Sequence, residues 1–236
     1  MAIVLVHGAW GGAWCWKEAA RLLRARGIEV YAPTLSGVGD RSHIPPAAVS
    51  LETQILDVAN LMRWEELERV LLVGHSYGGM VITGAADREP ARVGGMVYLD
   101  AFVPESGRAL WDYLPPAALA AQRALAEAHG GALPLPPGIV DPAPADRARL
   151  EGLLTLHPVR CFSDPFVSVR AEQSWPKRHY ILCTEKANTF PQFAAKVRGR
   201  PGWDYSEFAA AHDVVWTHPQ DVAERLYEIG RGWGLL

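Results

Sequence analysis

The sequence predicts an α/β protein: a mostly parallel sheet with helices on both faces and an inserted helical cap. Three observations carry that expectation. Strand-like and helical segments alternate from Ala2 to Leu99. The strand-like segments are unbroken apolar runs, such as Ile3-Val4-Leu5-Val6 and Val70-Leu71-Leu72-Val73, as strands covered on both faces require. The alternation then stops in a Pro- and Ala-rich stretch and resumes beyond it, which marks an insertion and not a linker. At 236 residues, the chain suits one domain with such an insertion. The division expected is a core over 1–103 and 177–236 and a cap over 104–176.

In chain order, Ala2–Val6 is the first buried strand. Trp16–Arg26 places Ala and Leu at helical spacing and stops at Gly27, a residue suited to the left-handed turn that ends helices. Ile28–Tyr31 is a second strand, followed by Pro33. Leu51–Met62 is a helix that Ser50 can cap. Arg69–Val73 and Met96–Leu99 are the third and fourth strands, with a helix over Tyr77–Ala86 between them despite its three glycines. Within the insertion, Ala117–Ala128 and Asp146–Leu154 are helical patches between proline-rich joints. Tyr180–Cys183 and Trp203–Phe208 are the closing strands, and Pro219–Arg231 is an amphipathic final helix.

Composition excludes several classes of function. Lys and Arg total 23 against 26 Asp and Glu, a net charge of −3, unlike the strongly basic balance of a nucleic-acid binder. Apolar residues make up 49%, too many for a disordered chain. No apolar run approaches the ~18 residues of a spanning helix. The N-terminus lacks the basic region of a signal peptide. Cys15, Cys161 and Cys183 are odd in number with no paired spacing, and read as reduced thiols of a cytoplasmic protein. Nine tryptophans suit either a core or an aromatic-lined pocket.

In parallel sheets, ligands bind beyond the carboxyl ends of the strands, so the residues after each strand matter most. After the third strand stands Gly74-His75-Ser76-Tyr77-Gly78. This is G-x-S-x-G between a strand and a helix, the setting of a nucleophile elbow. Roughly 0.08 such matches are expected by chance in a chain of this size and composition. A serine hydroxyl needs a base. With the order nucleophile, acid, base, the base follows the last strand, which selects His212; His218, beside Pro219, reads as a helix-start residue. After the first strand, His7-Gly8-Ala9-Trp10-Gly11-Gly12 is a loop of small residues that can turn a backbone N–H toward the serine. The two oxyanion donors expected are the N–H groups of Ala9 and Tyr77. No H-E-x-x-H and no clustered Cys/His spacing is present, so neither a metal nor another cofactor is expected.

These motifs, extended to Ala13-Trp14-Cys15-Trp16, Gly79 and Ala211-His212-Asp213, resemble the α/β-hydrolase superfamily. Within it they are similar to bacterial esterases and to the plant group of methylesterases and hydroxynitrile lyases. The resemblance covers essentially the whole chain, and implies the α/β-hydrolase fold and a serine carboxylesterase that acts through an acyl-serine. The lyases of that group place Thr where this chain has Gly8, and Lys where it has Asp213. Both differences favour ester hydrolysis. The plant relatives carry their acid in Cys-Thr-Glu-Asp after the penultimate strand, where this chain reads Cys183-Thr184-Glu185-Lys186. Other members carry it at the end of the strand after the nucleophile helix, here Asp100 in Tyr98-Leu99-Asp100-Ala101-Phe102. Asp100 is the leading candidate and Glu185 the alternative.

The expected substrate is a small hydrophobic or aromatic ester. Trp10 and Trp111 are the substrate-binding candidates. Tyr77 is considered beside them, as are Tyr113, Leu114, Phe162 and Trp175 of the cap. Partners expected are this small molecule, with neither nucleic acid nor membrane; a homodimer is the assembly considered. A hydroxynitrile lyase-type carbon–carbon lyase and a non-catalytic ligand-binding protein on the same fold remain the alternatives.

Overall fold

The computed structural model describes residues 2–136, 149–169, 175–185 and 189–236. In chain order its regular elements are β1 (Ala2–Val6), α1 (Lys17–Ala25), β2 (Glu29–Tyr31), α2 (Leu51–Trp64), β3 (Val70–His75), α3 (Gly78–Arg88), β4 (Val93–Leu99), α4 (Pro116–Ala128), β5 (Ala132–Leu133), β6 (His157–Pro158), α5 (Arg160–Ser163), β7 (Lys177–Cys183), α6 (Pro191–Val197), β8 (Trp203–Phe208), α7 (Val214–Thr217) and α8 (Pro219–Gly232). Six strands form one sheet in the order β2-β1-β3-β4-β7-β8. Among the described residues each of its pairings is parallel.

Side-chain alternation explains the layering. Successive residues of a strand face opposite sides of a sheet. In β1, Val4 and Val6 join one buried cluster, while Ile3 and Leu5 join another. β3 divides the same way, with Val70 and Leu72 on one side and Leu71 and Val73 on the other. The first cluster is completed by Ile55 and Val58 of α2 and by Val81 and Ala85 of α3. The second is completed by Ala19 and Leu23 of α1 and by Val222 and Leu226 of α8. The runs that read as doubly buried strands are therefore covered by a helix pair on each face.

The strands and longer helices expected from the sequence are present with shifted bounds: β4 and β7 start earlier than expected, α1 and β2 are shorter, and β3 and α3 are displaced toward the C-terminus. The sequence reading assigned no structure to α6, a seven-residue helix opened by Pro191, nor to the two-residue antiparallel ladder of β5 and β6. Elements that short carry little periodicity. Residues 146–148 of the expected Asp146–Leu154 helix lie outside the described residues, as does Lys186. The segment between β4 and β7 lies where the insertion is expected. It holds a 3-10 turn over Leu110–Tyr113, then α4, the β5–β6 ladder and α5. Its Trp111, Leu133, Phe162 and Phe166 belong to the same cluster as α2 and α3, so it packs continuously with one face of the sheet.

The start of α2 illustrates local sequence control. Ser50 Oγ accepts the Thr53 N–H and Thr53 Oγ1 accepts the Ser50 N–H, each at 3.2 Å. This reciprocal pair satisfies two amides that a helix start leaves open. Replacing Ser50 with Ala is expected to lower the unfolding free energy by about 1 kcal/mol. Urea denaturation would read this as a lower midpoint at unchanged slope.

Candidate active site

Because the sheet is parallel, the loops after β1, β3, β4, β7 and β8 all leave from one edge. Ser76 follows β3, Asp100 follows β4, and His212 lies on the loop after β8. Ser76 has φ +55° and Asp100 φ +43°, a left-handed conformation that costs a non-glycine residue about 1–3 kcal/mol. Both turns are held by main-chain bonds. Ser76 N–H donates to Leu99 O at 3.3 Å, Phe102 N–H to Ser76 O at 3.1 Å, and Asp100 N–H to Ile181 O at 2.8 Å. The elbow also needs its glycines. A Cβ on Gly74 would lie 2.7 Å from the Gly78 carbonyl, and one on Gly78 would lie 2.7 Å from the Val6 carbonyl oxygen.

The side chains at these turns form one continuous chain of hydrogen bonds. Ser76 Oγ lies 3.0 Å from His212 Nε2, and His212 Nδ1 lies 2.7 Å from Asp100 Oδ2. Asp100 Oδ1 accepts the Cys183 N–H at 3.2 Å. Asp100 is fully buried, whereas Ser76 and His212 retain slight exposure. Glu185 lies on the exposed turn after β7, where its N–H donates to Ala210 O at 3.1 Å. Of the two carboxylate candidates, the structure brings Asp100 to the imidazole.

Two further side chains fix that imidazole, and the sequence reading had singled out neither for this. Phe190 stacks on the His212 ring, with centroids 4.7 Å apart and planes 13° from parallel. His75 covers it from another direction at 4.7 Å and donates its Nε2–H to the His212 carbonyl at 2.8 Å. Burial pushes the His75 imidazole well below its ordinary pKa, and His212 nearby adds to the effect. His75 is therefore a neutral donor. Phe190 belongs to an aromatic wall with Phe102 and Phe193, which continues to Tyr113. Beside it, between residues 112–115 of the insertion and Thr189, Pro191 and Gln192, opens a groove of about 510 Å³.

The loop after β1 supplies the third side of the site. Gly8 packs against Ser76: a Cβ there would lie 3.0 Å from Ser76 Cβ. His7 sets the adjoining peptide plane. Its Nε2 accepts the Leu35 N–H at 3.1 Å, so its Nδ1 carries the proton and donates to Gly8 O at 2.7 Å. Carbonyl and N–H of a trans peptide point in opposite directions, so His7 also orients the Ala9 N–H. Among the described residues, the main-chain bonds of the loops and turns use neither the Ala9 nor the Tyr77 N–H. The Tyr77 side chain turns into the core, where its OH donates to Gln54 Oε1 at 2.6 Å. Trp10 and Trp111 are both buried, their indoles donating to Leu133 O at 2.8 Å and to Gln122 Oε1 at 2.9 Å. Tyr113 and Phe162 are likewise buried; Leu114 and Trp175 are partly so. No group of three or more His, Cys, Asp or Glu among the described residues is arranged to hold a metal ion.

Comparison with known proteins identifies the family of the fold. Residues 3–225 match the model of the alpha/beta hydrolase family. The chain is 39% identical to a carbendazim hydrolyzing esterase from Nocardioides sp. (strain SG-4G), over 96% of this chain and 98% of that protein. It is 33% identical to Methylesterase 2 of Arabidopsis thaliana, in a match covering 44% of this chain and 40% of the other. Among solved structures, an extracellular alpha/beta-hydrolase from a Paenibacillus species superposes with a TM-score of 0.86 at 25% identity, covering 98% of this chain and 99% of that one. That protein is described as sharing structural and functional homology with Tobacco Salicylic Acid Binding Protein 2.

The buried imidazoles make stability depend on acidity. Burial lowers the His7 pKa to about 4, against about 6.5 in an unfolded chain. Between those values the unfolded chain binds a proton that the folded chain refuses, so stability is lost as pH falls through the window. His7 alone accounts for roughly 3 kcal/mol across it, and His75 and His157 are shifted in the same direction, chiefly by burial. Urea denaturation at a series of pH values should show stability falling steadily below about pH 6.5. A flat profile down to about pH 4.5 would contradict this account.

Proposed function

This chain belongs to the alpha/beta hydrolase family, and from that premise we propose that it is a carboxylic ester hydrolase working through an acyl-serine on small hydrophobic or aromatic esters. The observation that carries this reading is the unbroken run from Ser76 Oγ through His212 to buried Asp100. His212 Nε2 takes the hydroxyl proton as Ser76 attacks the ester carbonyl. The Ala9 and Tyr77 N–H groups meet the negative charge that develops on the carbonyl oxygen, each contributing about 10²–10³ in rate. His212 returns the proton to the leaving alcohol, and water then cleaves the acyl-enzyme with His212 as base. Asp100 holds the imidazole in the tautomer that can accept from serine, and stabilises the imidazolium. No cofactor enters these steps.

Relatives named as esterases support the reaction class. The aromatic wall beside His212 supports an apolar substrate, with the insertion as a cap over it. Gly8 argues against the lyase alternative, since the lyases carry Thr there; Asp213 does as well, because the lyases place a cation there. We place the enzyme in the cytoplasm on its three buried free thiols. Among the described residues no helix is long and apolar enough to cross a membrane.

Hydrolysis of a short p-nitrophenyl ester tests the mechanism. Ser76→Ala is expected to abolish turnover, and turnover at the wild-type rate in that variant would refute the assignment. Asp100→Asn should cost about 10⁴ in kcat, with Glu185→Gln within about twofold of wild type. The reverse order would make Glu185 the acid. Carbendazim and the methyl ester of a small aromatic acid then form the first substrate panel.

A further inference from the structure

His157 is fully buried at the start of β6, within the insertion. It takes no part in the proton transfers above, yet it touches both walls of the oxyanion site. Its Nδ1 accepts the Trp10 N–H at 3.1 Å. Its ring packs edge-on against Tyr77, with centroids 4.9 Å apart. The insertion also holds Trp10 at two other points: Thr155 N–H donates to Trp10 O at 3.0 Å, and the Trp10 indole donates to Leu133 O at 2.8 Å. Leu133 and His157 are register partners in the β5–β6 ladder, so one small ladder grips the residue. Trp10 has φ +63°, a conformation that persists only where its surroundings over-determine it.

We infer that His157 is a positioning residue: it fixes the peptide plane between Ala9 and Trp10, and so aims the Ala9 N–H at the reacting carbonyl. Ala9 lies between two peptide planes. His7, from the core, fixes the plane before it through Gly8 O; His157, from the insertion, fixes the plane after it through the Trp10 N–H. The insertion thereby completes the oxyanion site as well as covering it. Burial holds the His157 imidazole neutral, well below its ordinary pKa, which leaves Nδ1 free to accept. Its Nε2–H has no partner among the described residues, so Trp10 is the polar contact that accounts for a histidine here.

The inference rests on the esterase reading, and two readouts separate them. His157→Leu removes the acceptor; His157→Asn places an amide oxygen near the Nδ1 position. With a p-nitrophenyl ester, the Leu variant should lose about 10- to 100-fold in kcat, with KM within about threefold. The Asn variant should recover to within about threefold of wild type. Amide exchange by NMR should show Trp10 N–H protection lost in the Leu variant and kept in the Asn variant. If the Leu variant does not fold, His157→Phe, which keeps a ring without an acceptor, replaces it. Unchanged kcat in the acceptor-free variant, or equal losses in the Leu and Asn variants, would overturn the inference. If the wild type hydrolyses no ester, the esterase reading falls, and Trp10 exchange alone decides the clamp: protection unchanged without the acceptor overturns it.

Discussion

Two neighbouring parallel strands, β3 and β4, each end in a left-handed residue, and the rest of the site depends on that constraint. Ser76 and Asp100 leave the sheet edge side by side because their strands are paired up to His75 and Leu99. The turns are strained, and the strain is held by bonds between them: Ser76 donates to Leu99 O and accepts from Phe102. A left-handed turn at one strand end is therefore stabilised by the other. His212 then needs only to reach from the end of β8, two strands beyond β4, to meet both side chains.

Histidines link the loops around this edge. A neutral imidazole offers one donor and one acceptor, so it can join two backbone groups that have no sheet partner. His7 does this between Leu35 and Gly8. His75 holds the carbonyl of His212, and His157 takes the Trp10 amide. Burial keeps all three neutral. The same burial that makes them rigid linkers makes them a source of acid sensitivity, since protonation removes an acceptor from each ring.

The insertion is part of the same packing. Its aromatic residues share a buried cluster with the helices on one face of the sheet, and its short ladder bonds directly to the loop after β1. Displacing it would expose that cluster and release Trp10. Phe102, Phe190 and Phe193 form one aromatic wall, and Phe190 carries it onto the His212 ring.

The sequence by itself determined the layered α/β fold, because doubly buried strands must be continuous apolar runs and the helices between them must be amphipathic. It also marked Ser76 and His212, the residues the fold brings within 3.0 Å of each other, since G-x-S-x-G between a strand and a helix, and a histidine after the last strand, are local signals. Asp100 was legible as the leading acid candidate with Glu185 as the alternative; each follows a strand, and only the pairing of β4 with its neighbours decides which reaches His212. Phe190, His75 and His157 were not legible in these roles. Stacking on His212 and bonding to Trp10 join residues far apart in the chain, and no local pattern records a contact that only the folded sheet and its insertion create.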